Sequence, residues 1–217
     1  MLKDIGTRIR SFEAAGHVVR YFEVSDVDAA IERAIEKNTI APYGAVPWAS
    51  AFVMTEMLAC MHLDGRTVVD VGAGCGVVSL MASKLGARVI ALEIDELARQ
   101  LLEQAAKEQD LRIDVRPFDI AGGTSLPEGE LFIFADLLYE TDLASHTAHR
   151  CIEAIERGEN IWVGDPQRSG RAVFQDLMRD AGHECIFCEN SYQDPDLKPL
   201  QRIGVYTHCP GGWADVW

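Results

Sequence analysis

Several apolar segments of this sequence end in carboxylates. Asp70 lies near the end of the first, Glu93 ends the second, and Asp119 and Asp136 follow the third and fourth. A carboxylate accepts hydrogen bonds from paired donors, and it attracts a cation or an amine. In an open α/β sheet, ligands bind beyond the carboxyl ends of the strands. The four carboxylates are therefore candidates for a single binding site.

A glycine-rich turn follows the first apolar segment. Gly72, Gly74 and Gly76 can adopt backbone angles that other residues avoid, and they let a ligand approach the main chain. A helix that begins near Gly76 would direct its free N–H groups at that ligand. The pattern predicts a nucleotide-type site. Val77 stands where a dinucleotide fingerprint requires glycine or alanine, and no GxxxxGK[ST] motif is present, so the sequence argues against NAD, FAD and ATP.

The order of elements predicts an α/β fold with a mostly parallel sheet. Strands are expected near residues 67–71, 88–93, 113–119, 131–135, 161–165, 183–189 and 201–206. Helices separate consecutive strands except between the third and the fourth and between the last two. Two strands joined without a helical crossover should be antiparallel neighbours, which predicts one antiparallel strand near an edge. Pro117 suits an edge strand because proline cannot donate to a sheet ladder.

Residues 1–40 are predicted to form an N-terminal helical extension, and residues 41–217 the main domain. Ile5, Ile9 and Phe12 recur at helical spacing, although residues 17–24 also suit a short strand. The extension could be a lid or a packing arm, and both interpretations stay open. Trp48 follows a loop rich in proline and glycine, so it either belongs to the core or borders the ligand.

Charge and cysteine content exclude several classes of protein. With 217 residues and a net charge of −14, the chain is an unlikely nucleic-acid binder, because such binding needs Lys and Arg to neutralise phosphates. No apolar run reaches the roughly 20 residues of a membrane span, and no secretory segment is recognisable, so we expect a cytoplasmic protein. Cys185 and Cys188 have CxxC spacing without partners that would complete a metal site, so no metal is predicted and the thiols are interpreted as structural.

The strand-end motifs resemble a known enzyme family. The run Asp70-Val71-Gly72-Ala73-Gly74-Cys75-Gly76, with Glu93, Asp119 and Ala135-Asp136, is similar to the motifs of seven-β-strand S-adenosylmethionine-dependent methyltransferases. The resemblance covers the chain from about Trp48 to the C-terminus. It implies a Rossmann-like, three-layer, doubly wound and mostly parallel seven-stranded sheet with one antiparallel strand. It also implies S-adenosylmethionine as the cofactor and S-adenosylhomocysteine as the product.

A narrower resemblance concerns the substrate. Pro42-Tyr43, Trp48, the Asp-x-x-Tyr pattern at residues 136–139 and the turn Gly164-Asp165-Pro166 are similar to methyltransferase family 16. Within that family they look like the branch that methylates lysines of the electron-transfer flavoprotein β subunit. The resemblance therefore implies a protein-lysine N-methyltransferase with that subunit as partner. The charge and the lack of a long apolar run argue against a nucleic acid or a membrane as partner.

The resemblance also implies a role for each site residue. Asp136 would hold the substrate amine and Tyr139 would line its channel, which makes these two the catalytic candidates. Glu93 would accept both ribose hydroxyls. The remaining cofactor-binding candidates are Asp119 and Ile120 at the adenine, Gly72, Gly74 and Asp70 at the methionine part, Trp48 beside the cofactor, and Ala135.

Three alternatives remain open on the sequence alone. The chain could be a small-molecule N-methyltransferase of a nicotinamide-like kind, which would share the cofactor site and differ in its substrate pocket. It could also bind the cofactor without turnover. At the level of single residues, each acid could be a solvated loop carboxylate, and Asp136 could cap a helix that begins at Leu137.

Overall fold

The computed structural model describes residues 6–193 and 199–210. It contains nine strands and six helices within these ranges, and a short 3-10 helix at Tyr43–Ala45. The strands are β1 (Thr7–Ala14), β2 (His17–Val24), β3 (Thr67–Val71), β4 (Arg88–Glu93), β5 (Ile113–Pro117), β6 (Leu131–Ala135), β7 (Asn160–Asp165), β8 (Ile186–Tyr192) and β9 (Gln201–His208). The helices are α1 (Val27–Glu36), α2 (Ala49–Ala59), α3 (Val77–Lys84), α4 (Glu96–Glu108), α5 (Thr141–Glu156) and α6 (Arg171–Asp180).

Strands β3 to β9 form one seven-stranded sheet in the order β5-β4-β3-β6-β7-β9-β8. The first five strands in this order pair in parallel, and β9 runs antiparallel to both β7 and β8. The central strands are apolar on both faces because helices cover both. Val68 packs against the side of α2 and α3, and its neighbour Val69 packs against the side of α5. The predicted fold, with its antiparallel strand and its edge strand at Pro117, is confirmed.

The predicted helix at the start of the chain is wrong for the residues that the structure describes. Strands β1 and β2 form an antiparallel hairpin, with Ala15 and Gly16 in its two-residue turn at φ +47° and +79°. Positive φ at both turn residues matches the twist of the strands it joins. Among the described residues 6–40, only α1 is an α-helix, and Asp26 is its N-cap. Residues 1–5, which include Ile5, lie outside the described residues, and the boundary at residue 40 stays a prediction.

The hairpin packs on the helices that cover one face of the sheet. The Phe12 ring lies 4.9 Å from the Phe52 ring of α2, measured between centroids. At the end of α4, the Gln109 side chain accepts from Arg20 N–H at 2.8 Å and donates to the Arg20 carbonyl at 2.7 Å. These contacts attach residues 7–24 to the same layer as α2, α3 and α4.

None of the helices within residues 6–193 and 199–210 combines the length and the apolar character that a membrane span requires.

The glycine turn needs glycine for two reasons at once. Gly76 precedes α3 at φ +86°, and a Cβ at this position would lie 2.1 Å from Leu102 of α4. We expect Gly76→Ala to lower the free energy of unfolding by about 2–4 kcal/mol, because it adds a steric clash to backbone strain. Gly65→Ala is the matched control, since Gly65 also has positive φ, at +74°, but has nothing within 4 Å of the added Cβ. Urea unfolding of both variants measures the difference, and an equal loss in the two would contradict the packing explanation.

Candidate functional site

A cavity of about 390 Å³ lies at the carboxyl edge of β3, β4, β5 and β6. Parallel strands bring their carboxyl ends to one edge of the sheet, so residues distant in the sequence become neighbours here. Every residue that the sequence analysis selected lines this cavity: Trp48, Asp70, Gly72, Gly74, Glu93, Asp119, Ile120, Ala135, Asp136 and Tyr139.

Glu93 links two turns that border the cavity. One carboxylate oxygen accepts from Gly74 N–H at 2.7 Å, and the other accepts from Asp95 N–H at 2.8 Å. Burial raises the pKa of Glu93, and these backbone hydrogen bonds oppose that rise. Because each carboxylate oxygen has two lone pairs, both oxygens keep the capacity to accept a further hydrogen bond.

Asp70 is buried in the floor of the cavity, with 1% of its surface exposed. Its Oδ2 accepts from the Ser79 hydroxyl of α3 at 2.6 Å. Burial raises the pKa of Asp70 from its ordinary value of 3.8 to about 7, although the Ser79 hydrogen bond acts in the opposite direction. The Glu93 charge adds to the rise.

One carboxylate oxygen of Asp136 accepts a hydrogen bond, and the other has no hydrogen-bond partner among the described residues. Its Oδ2 accepts from Ser50 N–H in the first turn of α2 at 2.8 Å, whereas Oδ1 is buried without a hydrogen-bond partner. The helix that follows begins at Thr141, so Asp136 does not cap a helix at Leu137 and instead caps α2 from across the fold. Burial raises the pKa of Asp136 to about 6. A buried oxygen that lacks a donor and lines a cavity is suited to bind a ligand cation or N–H group.

Asp119 and Ile120 lie on a loop that an arginine from α5 holds in place. Asp119 Oδ1 accepts from Ala121 N–H at 2.9 Å, which forms a local turn. The Arg150 guanidinium donates to the Ile120 carbonyl at 3.0 Å and also to the Gly122 carbonyl. Ile94, Phe118 and Ile120 form an apolar lining on this side of the cavity, which suits a flat, aromatic ligand group.

Aromatic side chains form the rim of the cavity. Trp48 is 37% exposed rather than part of the core, and its indole N–H donates to the Tyr43 carbonyl at 3.0 Å. The rings of Tyr43 and Tyr139 lie 6.4 Å apart, and both are partly exposed. Burial is the main cause that raises the pKa of Tyr139.

The sequence analysis missed two residues at this site. Gly44 faces Gly74 so closely that a Cβ on Gly74 would lie 2.9 Å from the Gly44 carbonyl oxygen. Arg168 places its guanidinium 5.2 Å from the Trp48 ring centroid and 3.9 Å from Asp136 Oδ1. The position of Gly44 in the loop rich in proline and glycine was a weak indication of its contact with Gly74. Nothing in the local sequence indicated the contacts of Arg168, because Arg168 reaches the site only through the turn after β7.

Among the described residues, no cluster of three or more His, Cys, Asp and Glu side chains could hold a metal ion. The six cysteines are free thiols, including Cys185 and Cys188. Burial raises the pKa of Cys185 to about 11, so its thiol stays protonated at neutral pH.

Sequence comparisons relate the chain to protein methyltransferases. A family model for ribosomal protein L11 methyltransferase (PrmA) matches residues 52–116. The chain is 36% identical to the protein-lysine methyltransferase METTL21E of Bos taurus over 94 residues, which cover 42% of this chain and 27% of that protein. It is 28% identical to the electron transfer flavoprotein beta subunit lysine methyltransferase of Rattus norvegicus over 176 residues, which cover 73% of this chain and 66% of that protein. The chain thus spans only part of the length of these relatives.

Solved structures share the fold. The magnesium protoporphyrin IX methyltransferase (ChlM) from Synechocystis, solved with bound SAM, superposes with a TM-score of 0.57 at 18% identity, covering 85% of each chain. The 16S rRNA N2 G1207 methyltransferase (RsmC) from T. thermophilus, in complex with AdoMet and guanosine, gives a TM-score of 0.58 at 15% identity over 92% of this chain and 50% of that one. The chain therefore has the fold found in these solved methyltransferases.

The buried Asp70 predicts a pH dependence of stability. Its pKa is raised from 3.8 to about 7 on folding, so between these values the folded chain binds more protons than the unfolded chain. The free energy of unfolding should therefore fall as the pH rises through this window, by roughly 1.4 kcal/mol for each pH unit. Asp70→Asn removes this contribution, so we expect the variant to gain stability relative to the parent as the pH rises.

Chemical unfolding at a series of pH values measures that relative gain. Ser79→Ala is a second variant, because loss of the hydroxyl that opposes the pKa rise should extend the window to higher pH. A pH-independent difference between the parent and Asp70→Asn would show that folding does not raise the pKa of Asp70.

Proposed function

We propose that this chain is an S-adenosylmethionine-dependent N-methyltransferase that modifies protein lysines, with the electron-transfer flavoprotein β subunit as its substrate. The observation that carries the proposal is Asp136, which lines the cavity shared with the glycine turn and Glu93 and whose buried Oδ1 has no hydrogen-bond partner among the described residues. A buried carboxylate oxygen without a donor is an acceptor for an amine N–H.

The cavity fits the proposed cofactor in size and in lining. The main chain of Gly74 lines the cavity beside the Glu93 carboxylate, to which its N–H donates. The apolar patch of Ile94, Phe118 and Ile120 suits an adenine ring, with Asp119 next to it as an acceptor for the amino group. When bound, S-adenosylmethionine would supply a sulfonium methyl group that an amine can attack without a nucleophile from the protein.

The remaining carboxylates would complete the cofactor site. Glu93 would accept hydrogen bonds from the two ribose hydroxyls with the lone pairs that its backbone contacts leave free. Asp70 would lie near the ammonium of the methionine part, where a positive charge favours its ionised form. Gly72 and Ala135 would border the same part of the cofactor, and Trp48 would pack beside it.

Methyl transfer to an amine mainly requires position and exclusion of water. Asp136 would hold the amine nitrogen through Oδ1 while Oδ2 stays bound to Ser50 N–H, so the acceptor is fixed before the substrate arrives. The nitrogen lone pair would form the new N–C bond as the S–C bond breaks, and the bonding pair would stay on sulfur. Tyr139 and Trp48 would enclose the side chain that carries the amine.

Two observations favour a protein as the substrate. Tyr43, Trp48 and Tyr139 at the rim are 45%, 37% and 38% exposed, so the entrance is open to a side chain that projects from a large partner. Two relatives are named for the methylation of protein lysines: the protein-lysine methyltransferase METTL21E and the electron transfer flavoprotein beta subunit lysine methyltransferase. The match to ribosomal protein L11 methyltransferase ends at residue 116, before Asp136, and so bears on the cofactor site alone.

A labelling experiment tests the proposal. The chain and methyl-labelled S-adenosylmethionine are incubated with purified electron-transfer flavoprotein β subunit in one reaction, and with a lysate of its own organism in another. We expect label on a lysine of the purified subunit and on one protein band in the lysate. Label in small molecules alone would favour the small-molecule alternative. Tight binding of S-adenosylhomocysteine without any transfer would favour a binding module.

The isosteric variant Asp136→Asn separates catalysis from folding. Its amide oxygen can still accept from Ser50 N–H, but the charge that would hold the amine is lost. We expect the rate of methyl transfer to fall by about a hundredfold or more, as for loss of a key positioning group. Binding of S-adenosylhomocysteine, measured by calorimetry, should change little.

Asp142→Asn is the matched control, because Asp142 is exposed in the first turn of α5 and does not line the cavity. It should transfer methyl groups at the parent rate. Parent-like transfer by Asp136→Asn would remove Asp136 from the proposed mechanism.

A further inference from the structure

We infer that Arg168 is a positioning residue whose guanidinium offsets the negative charge of Asp136, so that a substrate amine held at Oδ1 reacts as the neutral base. The inference rests on the proposed function and adds a residue that neither the motifs nor the comparisons indicated. It answers a chemical difficulty that Asp136 alone would create.

The difficulty is that a carboxylate without a nearby cation binds the protonated amine, which cannot react, more tightly than the neutral amine. A lysine side chain enters as an ammonium ion, and it must lose a proton to solvent before its lone pair can attack the methyl carbon. A negative charge within contact distance favours the ammonium and opposes this loss. Asp136 would therefore bind the substrate and at the same time reduce the fraction that can react.

Arg168 is placed to correct the charge without occupying the acceptor. Its Nη2 lies 3.9 Å from Asp136 Oδ1, too far for a hydrogen bond, so Oδ1 remains free to accept from an amine. A guanidinium stays charged over the whole physiological pH range, and it is weakly hydrated, so it can lie against an aromatic ring. The Arg168 guanidinium lies over the Trp48 ring, 5.2 Å from its centroid.

The main chain holds Arg168 at this position. Its backbone N–H donates to both carboxylate oxygens of the fully buried Asp165, at 3.2 and 3.0 Å. The preceding residue, Gln167, has φ +63°, a left-handed conformation that sharpens the turn after β7. The turn therefore directs the side chain back over Trp48 and toward Asp136.

The charged groups near Asp136 come from this same turn. Arg168 lowers the pKa of Asp136 and Asp165 raises it, while α2 contributes the uncharged Ser50 and the rim contributes the Tyr139 phenol. Removal of Arg168 would take this cation away from Asp136, whereas Arg171 would still lower the pKa of Asp165. The site would then hold a protonated amine more firmly.

The pH dependence of methyl transfer tests the inference. With the substrate identified by labelling, kcat should rise with pH as the bound amine loses its proton. In Arg168→Gln we expect the midpoint of that rise to move up by about one pH unit. This is the lower end of the pKa shift that a charge at this distance causes. Arg168→Lys should restore most of the parent profile, because it keeps the charge. The KM for S-adenosylmethionine should stay within about twofold in both variants, since Arg168 does not line the cavity.

Arg171→Gln is the matched control. It removes a positive charge three residues after Arg168. The Arg171 guanidinium lies over the Phe187 and Tyr206 rings and not beside Asp136. Its midpoint should equal that of the parent. An equal shift in Arg168→Gln and Arg171→Gln would mean that net charge alone is responsible and would overturn the inference.

A second readout needs no turnover. The ¹³Cγ chemical shift of Asp136, followed by NMR against pH in the protein with S-adenosylhomocysteine, should give a higher pKa in Arg168→Gln than in the parent and in Arg168→Lys. An unchanged Asp136 titration together with an unchanged rate profile would overturn the inference and leave the proposed function intact. If the parent chain transfers no methyl group at all, the proposed function fails and the inference fails with it.

Discussion

Hydrogen bonds from backbone N–H groups to buried carboxylates hold the carboxyl edge of this sheet together. Glu93 joins the glycine turn after β3 to the start of α4, and Asp136 joins the end of β6 to the first turn of α2. Charge-assisted hydrogen bonds of this kind are stronger than neutral ones, and burial increases their electrostatic strength. The relative positions of four elements around the cavity thus depend on two carboxylates.

These structural contacts do not compete with ligand binding, because a carboxylate has more acceptor capacity than they use. Two oxygens with two lone pairs each can accept about four hydrogen bonds, and Glu93 accepts one at each oxygen within the protein. The two oxygens of Asp136 differ in their contacts: Oδ2 accepts from Ser50 N–H, and Oδ1 has no hydrogen-bond partner among the described residues. The same side chain can cap α2 on one side and act as a substrate acceptor on the other, whereas the cap that the sequence suggested, for a helix beginning at Leu137, does not form.

The sequence predicted the sheet and the cavity residues well because both follow from local rules. Apolar runs separated by helical segments indicate parallel strands, and the ends of such strands meet at one edge, so acids at those ends become neighbours. The first hairpin was missed because Ile9 and Phe12 also fit helical spacing. In the structure Phe12 packs inward and Ile9 is 55% exposed, and the informative signal was the Ala15-Gly16 turn. Arg168 could not be predicted, since its place beside Asp136 depends on the left-handed turn at Gln167.

The charge of the site explains why a cationic ligand suits it. Burial raises the pKa of Asp70 to about 7 and that of Asp136 to about 6, so the ionised form of both carboxylates is costly. A positively charged ligand favours the ionised form of these carboxylates. Because its binding releases a proton from them, it should bind more tightly as the pH rises. Arg168 provides such a charge beside Asp136. No cation among the described residues lowers the pKa of Asp70, whose hydrogen-bond donor is the uncharged Ser79 hydroxyl. The deeper carboxylate therefore depends more on the ligand for a counter-charge, which is consistent with a cofactor that carries an ammonium and a sulfonium.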